Sequence, residues 1–310
     1  MRFEDVQRIL MVGSGTMGRQ AGWQFATHGY DVVLYDVSDR ALREAEATLD
    51  DLARDFTGSG LLTEAEASEA RARIQVEGDA AKAAREASLV SESVLENLEL
   101  KRRVFARFHD LCPPETIFTT NTSSLLPSKI ARSTGRPGRF CAFHFHQPVW
   151  ESNVVDIMPH PGTDPEVVTL LHHLAVRIDQ VPIVLGKESS GYAFNAMLDG
   201  VLSAAMQLRA EGIATVEDVD RAWMGVTKMP IGPFGVLDLV GIDLAHDVVT
   251  QKTNLAAFLP RVRRLRNLLK AKVDAGELGI KSGKGFYEYP EPAYQRPDFV
   301  AGPRGDQDDA

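Results

Sequence analysis

Apolar runs of six to eight residues alternate with helical patterns through roughly the first 186 residues of the chain. The runs are rich in β-branched and aromatic residues, which favour β-strands. The eight predicted strands are 8–15, 31–36, 72–78, 87–93, 116–121, 139–145, 153–160 and 180–186. Strands that are separated by helices pair in parallel, so the pattern predicts an α/β fold with a doubly wound, mostly parallel sheet.

A charged helical region, residues 39–72, lies between the second and third predicted strands. It is too long for one crossover helix, and the stretch FTGSGLLTEAEA within it contains a break. We therefore predict two antiparallel helices, a helical hairpin arm that projects from the sheet.

The hydrophobic pattern changes after the last predicted strand. From Gly191 to about Leu269 apolar residues recur at spacings of three and four, without a further strong strand signal. We predict a sheet domain over 1–188 and an all-helical C-terminal domain over 189–290. Residues 291–310 are rich in proline, glycine and charge, which predicts a disordered tail.

Composition narrows the class of protein. With 44% hydrophobic and 25% charged residues, the chain is typical of globular proteins, and its net charge of −9 disfavours nucleic acid or an anionic membrane as partner. No apolar run approaches the roughly 20 residues that span a bilayer. Two cysteines cannot form a disulfide framework, and no signal peptide precedes the first strand. These observations predict a cytoplasmic protein.

The sequence GSGTMG follows the first strand and opens a helix. In that context Gly13, Gly15 and Gly18 let the turn close and let the backbone approach a pyrophosphate, with Thr16 and Met17 in the first helical turn. Asp36 ends the second strand, where its carboxylate can accept hydrogen bonds from ribose hydroxyls and repel a 2′-phosphate. The pattern predicts a Rossmann-type domain that binds NAD, although the nearby Arg40 leaves NADP open.

The stretch FCAFHFHQPVWESNVVDIMPH, residues 140–160, holds three histidines and two carboxylates. The link between its two strands is too short for a crossover helix, so they should run antiparallel. In a symmetric pairing about position 150, His144 faces Asp156. The carboxylate can then accept the Nδ1 proton and leave Nε2 free to take a proton from a substrate hydroxyl, so we expect His144 to be a general base.

Other residues in this stretch offer alternatives. His144 and His146 could be metal ligands on one strand face, but no third ligand accompanies them at workable spacing, so we predict no metal. Glu151 lies in the loop, where a surface role is favoured, and His160 precedes a turn, where a structural role is favoured.

The chain resembles the 3-hydroxyacyl-CoA dehydrogenase family over residues 1–290. The motifs that carry the resemblance are VGSGTMG with Asp36, SESVLENLELK (91–101), TNTSSL (120–125), HF-x-x-P (144–148), GYAFNAML (191–198), PIGPFGVLDLVGID (230–243) and SGKGFYEY (282–289). The resemblance implies an NAD-binding domain, a helical arm and a helical domain through which the family forms homodimers. It also implies reversible oxidation of the 3-hydroxyl of an acyl thioester, with CoA as the carrier.

The family's functional positions can be carried onto this chain. The implied catalytic residues are Ser123, His144, Asp156 and Asn195. The implied nicotinamide-side contacts are Glu96, Lys101, Ser123, Gln147 and Lys281. The chain departs from the family at two of these positions, since the family has Glu where Asp156 stands and Asn where Gln147 stands. We expect an altered geometry at both.

The acyl carrier is the open question. The family holds CoA with a Ser and a Lys on the arm, and those positions are Leu52 and Ser59 here. The substrate could therefore be a CoA thioester, an acyl group on a carrier protein, or a small free hydroxy acid, as in a gulonate-type relative. A non-catalytic NAD-binding protein is a further alternative, but mere NAD binding requires none of the four implied catalytic residues.

Overall fold

The computed structural model describes residues 3–251 and 260–301, and the chain divides into two compact units, Met1–Phe194 and Asn195–Ala310. The first unit contains one sheet. Its strands are β1 (Arg8–Val12), β2 (Asp31–Tyr35), β3 (Ile74–Glu77), β4 (Leu89–Glu92), β5 (Ile117–Thr120), β6 (Phe140–Phe145), β7 (Val154–Met158) and β8 (Val181–Val184). All eight predicted strands are therefore confirmed.

The strand order in the sheet is β3-β2-β1-β4-β5-β6-β7-β8. Every neighbouring pair is parallel except β6 and β7, which are antiparallel. Successive strands are added on one side of β1 up to β3 and on its other side from β4 onward. In such sheets ligands bind beyond the carboxyl ends of the two strands between which this direction changes, here β1 and β4. The doubly wound, mostly parallel α/β sheet is thus as predicted.

Helices cover both faces of the sheet. They are α1 (Thr16–Thr27), α2 (Asp39–Gly58), α3 (Glu64–Ala72), α4 (Ala80–Ala84), α5 (Leu98–Leu111), α6 (Ser128–Ala131) and α7 (Pro165–Arg177). Alternate residues of one strand enter two separate cores, with Ile9 and Met11 in one and Leu10 and Val12 in the other. Burial on both faces explains why the strands are continuous apolar runs.

The arm consists of the two predicted helices, α2 and α3. Ser38 caps α2, and Thr63 and Glu66 form a capping box at α3. The ring of Phe56 on α2 packs edge-on against Trp23 and Trp150, at centroid distances of 5.6 and 5.0 Å. The arm therefore lies against the core of the first unit, whereas the sequence predicted that it projects from the sheet.

The second unit is helical, as predicted, with α8 beginning at its boundary. The helices are α8 (Phe194–Ala210), α9 (Val216–Thr227), α10 (Pro233–Val240), α11 (Ile242–Gln251) and α12 (Pro260–Asp274). Asp220 accepts hydrogen bonds from the backbone N–H groups of Phe234 and Gly235, which open α10, and from the Tyr287 hydroxyl. None of the helices in the described part of the chain is long and apolar enough to cross a membrane.

The predicted disordered tail is wrong for residues 291–301. Tyr294 and Phe299 are buried in the core of the second unit, and the guanidinium of Arg221 lies over the Phe299 ring at 5.1 Å. Two aromatic anchors outweigh the effect of the prolines and charges around them. Residues 302–310 of the predicted tail lie outside the described residues.

Candidate functional site

The loop after β1 is shaped for a dinucleotide. Gly13 has a φ of +105°, and a Cβ there would lie 2.7 Å from the Ser93 carbonyl oxygen, while a Cβ on Gly18 would lie 1.9 Å from the Gly13 carbonyl oxygen. At Gly15 a Cβ would meet no atom within 4 Å, so this glycine faces open space. Gly15 also precedes α1 without any side-chain cap, so the first N–H groups of that helix are free to bind a phosphate.

Asp36 lies beside this loop at the end of β2. Its Oδ2 accepts hydrogen bonds from the backbone N–H of Ser14 at 3.0 Å and from the Ser14 hydroxyl at 3.2 Å. Its Oδ1 accepts from the backbone N–H of Ser38 at 3.0 Å. The carboxylate is thus held in a fixed position beside the loop after β1, while Arg40 is exposed and pairs with Glu44 at 3.6 Å.

The antiparallel pair β6 and β7 brings His144 directly opposite Asp156, so the predicted register about position 150 is confirmed. His144 Nδ1 and Asp156 Oδ2 are 3.2 Å apart, and both side chains are buried. Because the ionised carboxylate only accepts, Nδ1 carries the proton and Nε2 presents a lone pair. Burial raises the pKa of Asp156, but the hydrogen bonds from His144 and His146 outweigh this and leave that pKa below its usual value.

A second imidazole shares the carboxylate. His146 Nε2 is 2.9 Å from the same Oδ2 of Asp156. The ligand atoms of His144, His146 and Asp156 lie within 4.8 Å of one another, so the expectation that the histidines lack a third ligand was wrong. The sequence placed Asp156 opposite His144 but did not indicate that His146 also reaches it from the same strand. Hydrogen bonding alone accounts for the cluster, and the absence of a metal stays a prediction.

Tyr192 covers His144 and was missed by the sequence analysis. The two rings are stacked, with centroids 4.5 Å apart and an interplanar angle of 6°. The Tyr192 hydroxyl donates to the Thr122 carbonyl oxygen at 2.6 Å. Tyr192 lies in the GYAFNAML motif, yet nothing in the sequence indicates which strand end it would cover. Enclosure of this kind lowers the pKa of His144 through burial, against the opposing effect of Asp156.

Glu96 organises the turn that carries Ser123. Its Oε1 accepts hydrogen bonds from the Thr122 hydroxyl at 2.5 Å, from the Ser123 backbone N–H at 3.1 Å and from the Ser124 backbone N–H at 2.9 Å. The Ser123 side chain is exposed. Helix α6 starts five residues later, at Ser128, so Ser123 is not a helix cap and its hydroxyl remains open to a ligand.

Lys101 is buried rather than open to solvent. It is 1% exposed, and its Nζ donates to Glu92 Oε1 at 2.6 Å and lies 3.4 Å from Glu96 Oε2. Glu92 also accepts from the Thr120 hydroxyl at 2.7 Å, and burial raises its pKa despite the lysine. Glu92 was not predicted as a site residue, although a carboxylate inside an apolar strand is a signal for a buried partner.

The remaining sequence-derived residues are described within their own units. Gln147 is exposed at the end of β6, and Glu151 is exposed in the loop. His160 has the structural role favoured for it, because its Nε2 lies 2.9 Å from the Pro137 carbonyl oxygen and its Nδ1 accepts from Gly162. In the second unit, Asn195 is the second residue of α8, and Lys281 Nζ pairs with Asp243 at 2.6 Å.

The glycine-rich loop after β1 and the buried pair of His144 and Asp156 define a class of protein. They are typical of dehydrogenases that use a nicotinamide cofactor. Residues 8–189 match the family model of the 3-hydroxyacyl-CoA dehydrogenase NAD binding domain, and residues 191–289 match that of the 3-hydroxyacyl-CoA dehydrogenase C-terminal domain. The chain therefore belongs to the 3-hydroxyacyl-CoA dehydrogenase family, and its first domain is the family's NAD-binding domain.

Individual relatives cover most of the chain. It is 32% identical to 3-hydroxyadipyl-CoA dehydrogenase of Escherichia coli K12 over 92% of its length, but spans only 59% of that protein. It is 31% identical to a probable 3-hydroxybutyryl-CoA dehydrogenase of Bacillus subtilis, covering 93% of this chain and 99% of the relative. A solved diketoreductase structure is 36% identical with a TM-score of 0.84, covering 92% and 99% of the two chains.

Proposed function

We propose that the chain is an NAD-dependent dehydrogenase that reversibly oxidises the 3-hydroxyl of a 3-hydroxyacyl thioester, with CoA as the carrier, to the 3-oxo group. The observation that carries this proposal is the buried pair of His144 and Asp156. Their 3.2 Å hydrogen bond leaves Nε2 of His144 free to accept a proton. The oxidation of a secondary alcohol requires such a base, because the hydroxyl loses its proton. The names of the relatives in Escherichia coli and Bacillus subtilis support the substrate class.

The proposed roles follow from the contacts. His144 Nε2 takes the hydroxyl proton, and Asp156 fixes the ring tautomer and stabilises the imidazolium. The Ser123 hydroxyl, on the turn held by Glu96, donates a hydrogen bond to the substrate oxygen. Asn195 of the second unit is proposed to polarise the substrate carbonyl. Bound NAD supplies the hydride acceptor.

We propose that NAD is held along the loop after β1 and beside the β4 and β5 strand ends. The proposed contacts are Gly13, Gly15, Thr16, Met17, Gly18, Asp36, Glu96, Lys101, Ser123, Gln147 and Lys281. The open space at Gly15 supports the pyrophosphate position. Lys101 is the weakest of these assignments, because its ammonium is already bound by Glu92.

A second candidate is an NAD-dependent oxidoreductase that oxidises a small free hydroxy acid or reduces a dicarbonyl compound. Three observations favour it. The arm, residues 39–72, has nine acidic and four basic residues, which disfavours binding of CoA phosphates. Leu52 is buried in the core, and the Ser59 hydroxyl donates to the Asp55 carbonyl oxygen, so neither position offers a cation. The diketoreductase is a relative of matching length.

The experiment that tests both candidates follows NADH oxidation at 340 nm with acetoacetyl-CoA and with free 3-oxo acids. We expect the wild-type chain to turn over the thioester. We expect His144→Gln to lower that turnover by about 10²–10⁴-fold. His172→Gln, an exposed histidine on α7, is the matched control and should leave turnover unchanged. Turnover of free acids alone would favour the second candidate, and equal turnover by wild type and His144→Gln would contradict both.

We also propose that the chain is a cytoplasmic homodimer. Helices of the second unit carry exposed apolar side chains, among them Met197, Leu239 and Leu244, at 65%, 62% and 54% exposure, which a second copy could cover. Both cysteines, Cys112 and Cys141, are free and buried, as suits a reducing compartment. Light scattering should give about twice the 34.0 kDa of one chain. A mass of one chain at micromolar concentration would contradict the dimer.

A further inference from the structure

Two imidazoles donate to a single oxygen of one buried carboxylate. His146 Nε2 lies 2.9 Å from Asp156 Oδ2, and His144 Nδ1 lies 3.2 Å from the same atom. Asp156 is 1% exposed, and its other oxygen, Oδ1, is buried with no hydrogen-bond partner among the residues that the structure describes. We propose that His146 is a positioning residue: it holds Asp156 in place and draws part of its charge away from His144. This inference rests on the proposed function, in which His144 is the base.

His146 helps to hold the Asp156 carboxyl group in place. With Oδ1 unpartnered, the two bonds at Oδ2 are the ones that fix the Asp156 carboxyl group within the described residues. The bond from His146 is the shorter of the two. His146 is itself confined, since its ring meets that of His144 at a centroid distance of 4.8 Å and that of Phe194 at 5.6 Å, both edge-on. Removing its ring would leave the carboxylate held by His144 alone.

His146 also weakens the attraction of Asp156 for the proton on His144. The groups that face His144 are Asp156 on β7, His146 on β6, Glu96 after β4, and the stacked Tyr192. Burial lowers the pKa of His144, the hydrogen bond to Asp156 raises it, and His146 lowers it. A carboxylate that accepts from two donors attracts the proton on His144 less than one that accepts from one. Sharing therefore keeps His144 neutral, the state in which it can accept a proton from an alcohol.

The test measures the imidazole of His144 directly. The whole chain, labelled with ¹³C-histidine, is titrated by NMR, and the His144 ring signal is assigned by its loss in His144→Gln. His146→Phe, which removes the donor, should raise the measured pKa of His144 by about one pH unit. His146→Gln keeps an N–H donor, but a weaker one than an imidazole, so it should raise that pKa by a smaller amount. His172→Gln is the control and should not move it.

A kinetic measurement links this shift to the reaction. The acid limb of kcat/KM for alcohol oxidation should move to higher pH in His146→Phe by the same amount as the His144 titration, with NAD affinity unchanged. A pKa of His144 that is the same in wild type, His146→Phe and His146→Gln would overturn the inference. If His146→Phe does not fold, the comparison of wild type with His146→Gln still decides. Full activity in His144→Gln would instead overturn the proposed function, while the titration would still test His146.

Discussion

The ring of Tyr192 lies flat on the ring of His144, with centroids 4.5 Å apart and planes 6° from parallel. Tyr192 has a φ of +53°, a left-handed conformation that is uncommon for a bulky residue and that the surrounding structure must maintain. Its hydroxyl is tied to the Thr122 carbonyl oxygen, next to Ser123. One side chain thus connects the proposed base to the turn that carries the proposed hydroxyl donor.

This connection predicts separable effects of two substitutions. Tyr192→Phe keeps the stacked ring but loses a hydrogen bond worth about 1 kcal/mol, so kcat should fall by less than about tenfold. Tyr192→Leu loses the flat ring as well and should cost more than tenfold. Stopped-flow kinetics with acetoacetyl-CoA would measure both, and NADH binding by fluorescence should be unchanged. Wild-type kcat in both variants would show that Tyr192 does not position the site.

Asp36 should decide between the two nicotinamide cofactors. Its carboxylate is fixed by Ser14 and Ser38 and would repel a 2′-phosphate, so kcat/KM should favour NADH over NADPH by at least about tenfold. Asp36→Ser should reduce this preference. The control, Asp39→Ser, changes an exposed carboxylate on α2 and should leave the preference intact. Equal use of the two cofactors by the wild-type chain would contradict the assignment of Asp36.

Features that depend on local sequence were predictable here. The eight strands followed from apolar runs, and the facing of His144 and Asp156 followed from a link too short for a crossover. Features that depend on residues far apart in sequence were not predictable. Tyr192 reaches His144 from 48 positions away, and Phe299 is buried although its neighbours are polar. Periodicity contains no information on which distant side chain fills a given space.

The buried ion pair of Lys101 and Glu92 should be important for stability. Their side chains are 1% and 0% exposed, so Lys101→Met would leave a carboxylate in the sheet without its counter-charge. We expect the free energy of unfolding, measured in urea, to fall by about 3–5 kcal/mol. The double variant that combines Lys101→Met with Glu92→Gln should recover at least half of the lost free energy of unfolding, because it no longer contains the uncompensated carboxylate. A change below about 1 kcal/mol in Lys101→Met would contradict the prediction.

The cluster of His144, His146 and Asp156 should work without a metal. Hydrogen bonds at 2.9 and 3.2 Å already join its three groups, and a bound metal would occupy Nδ1 of His144 and displace the proton that orients the ring. Dialysis against EDTA should therefore leave kcat within about twofold of its starting value. A loss of activity that added zinc restores would reveal a metal site in this cluster.

The acidic arm should make the chain insensitive to the nucleotide part of CoA. Nine acidic residues against four basic ones in 39–72 give the arm a net negative charge that repels phosphates, and the side chain of Leu52 faces the core. We expect kcat/KM for acetoacetyl-CoA and for acetoacetyl-pantetheine to agree within about fivefold, since exposed charge pairs contribute at most about 1 kcal/mol. Ser59→Lys adds a cation at the exposed end of α2 and should lower KM for the CoA thioester alone. A preference for acetoacetyl-CoA of fifty-fold (about 2.3 kcal/mol) in the wild-type chain would mean that residues outside the arm bind the phosphates.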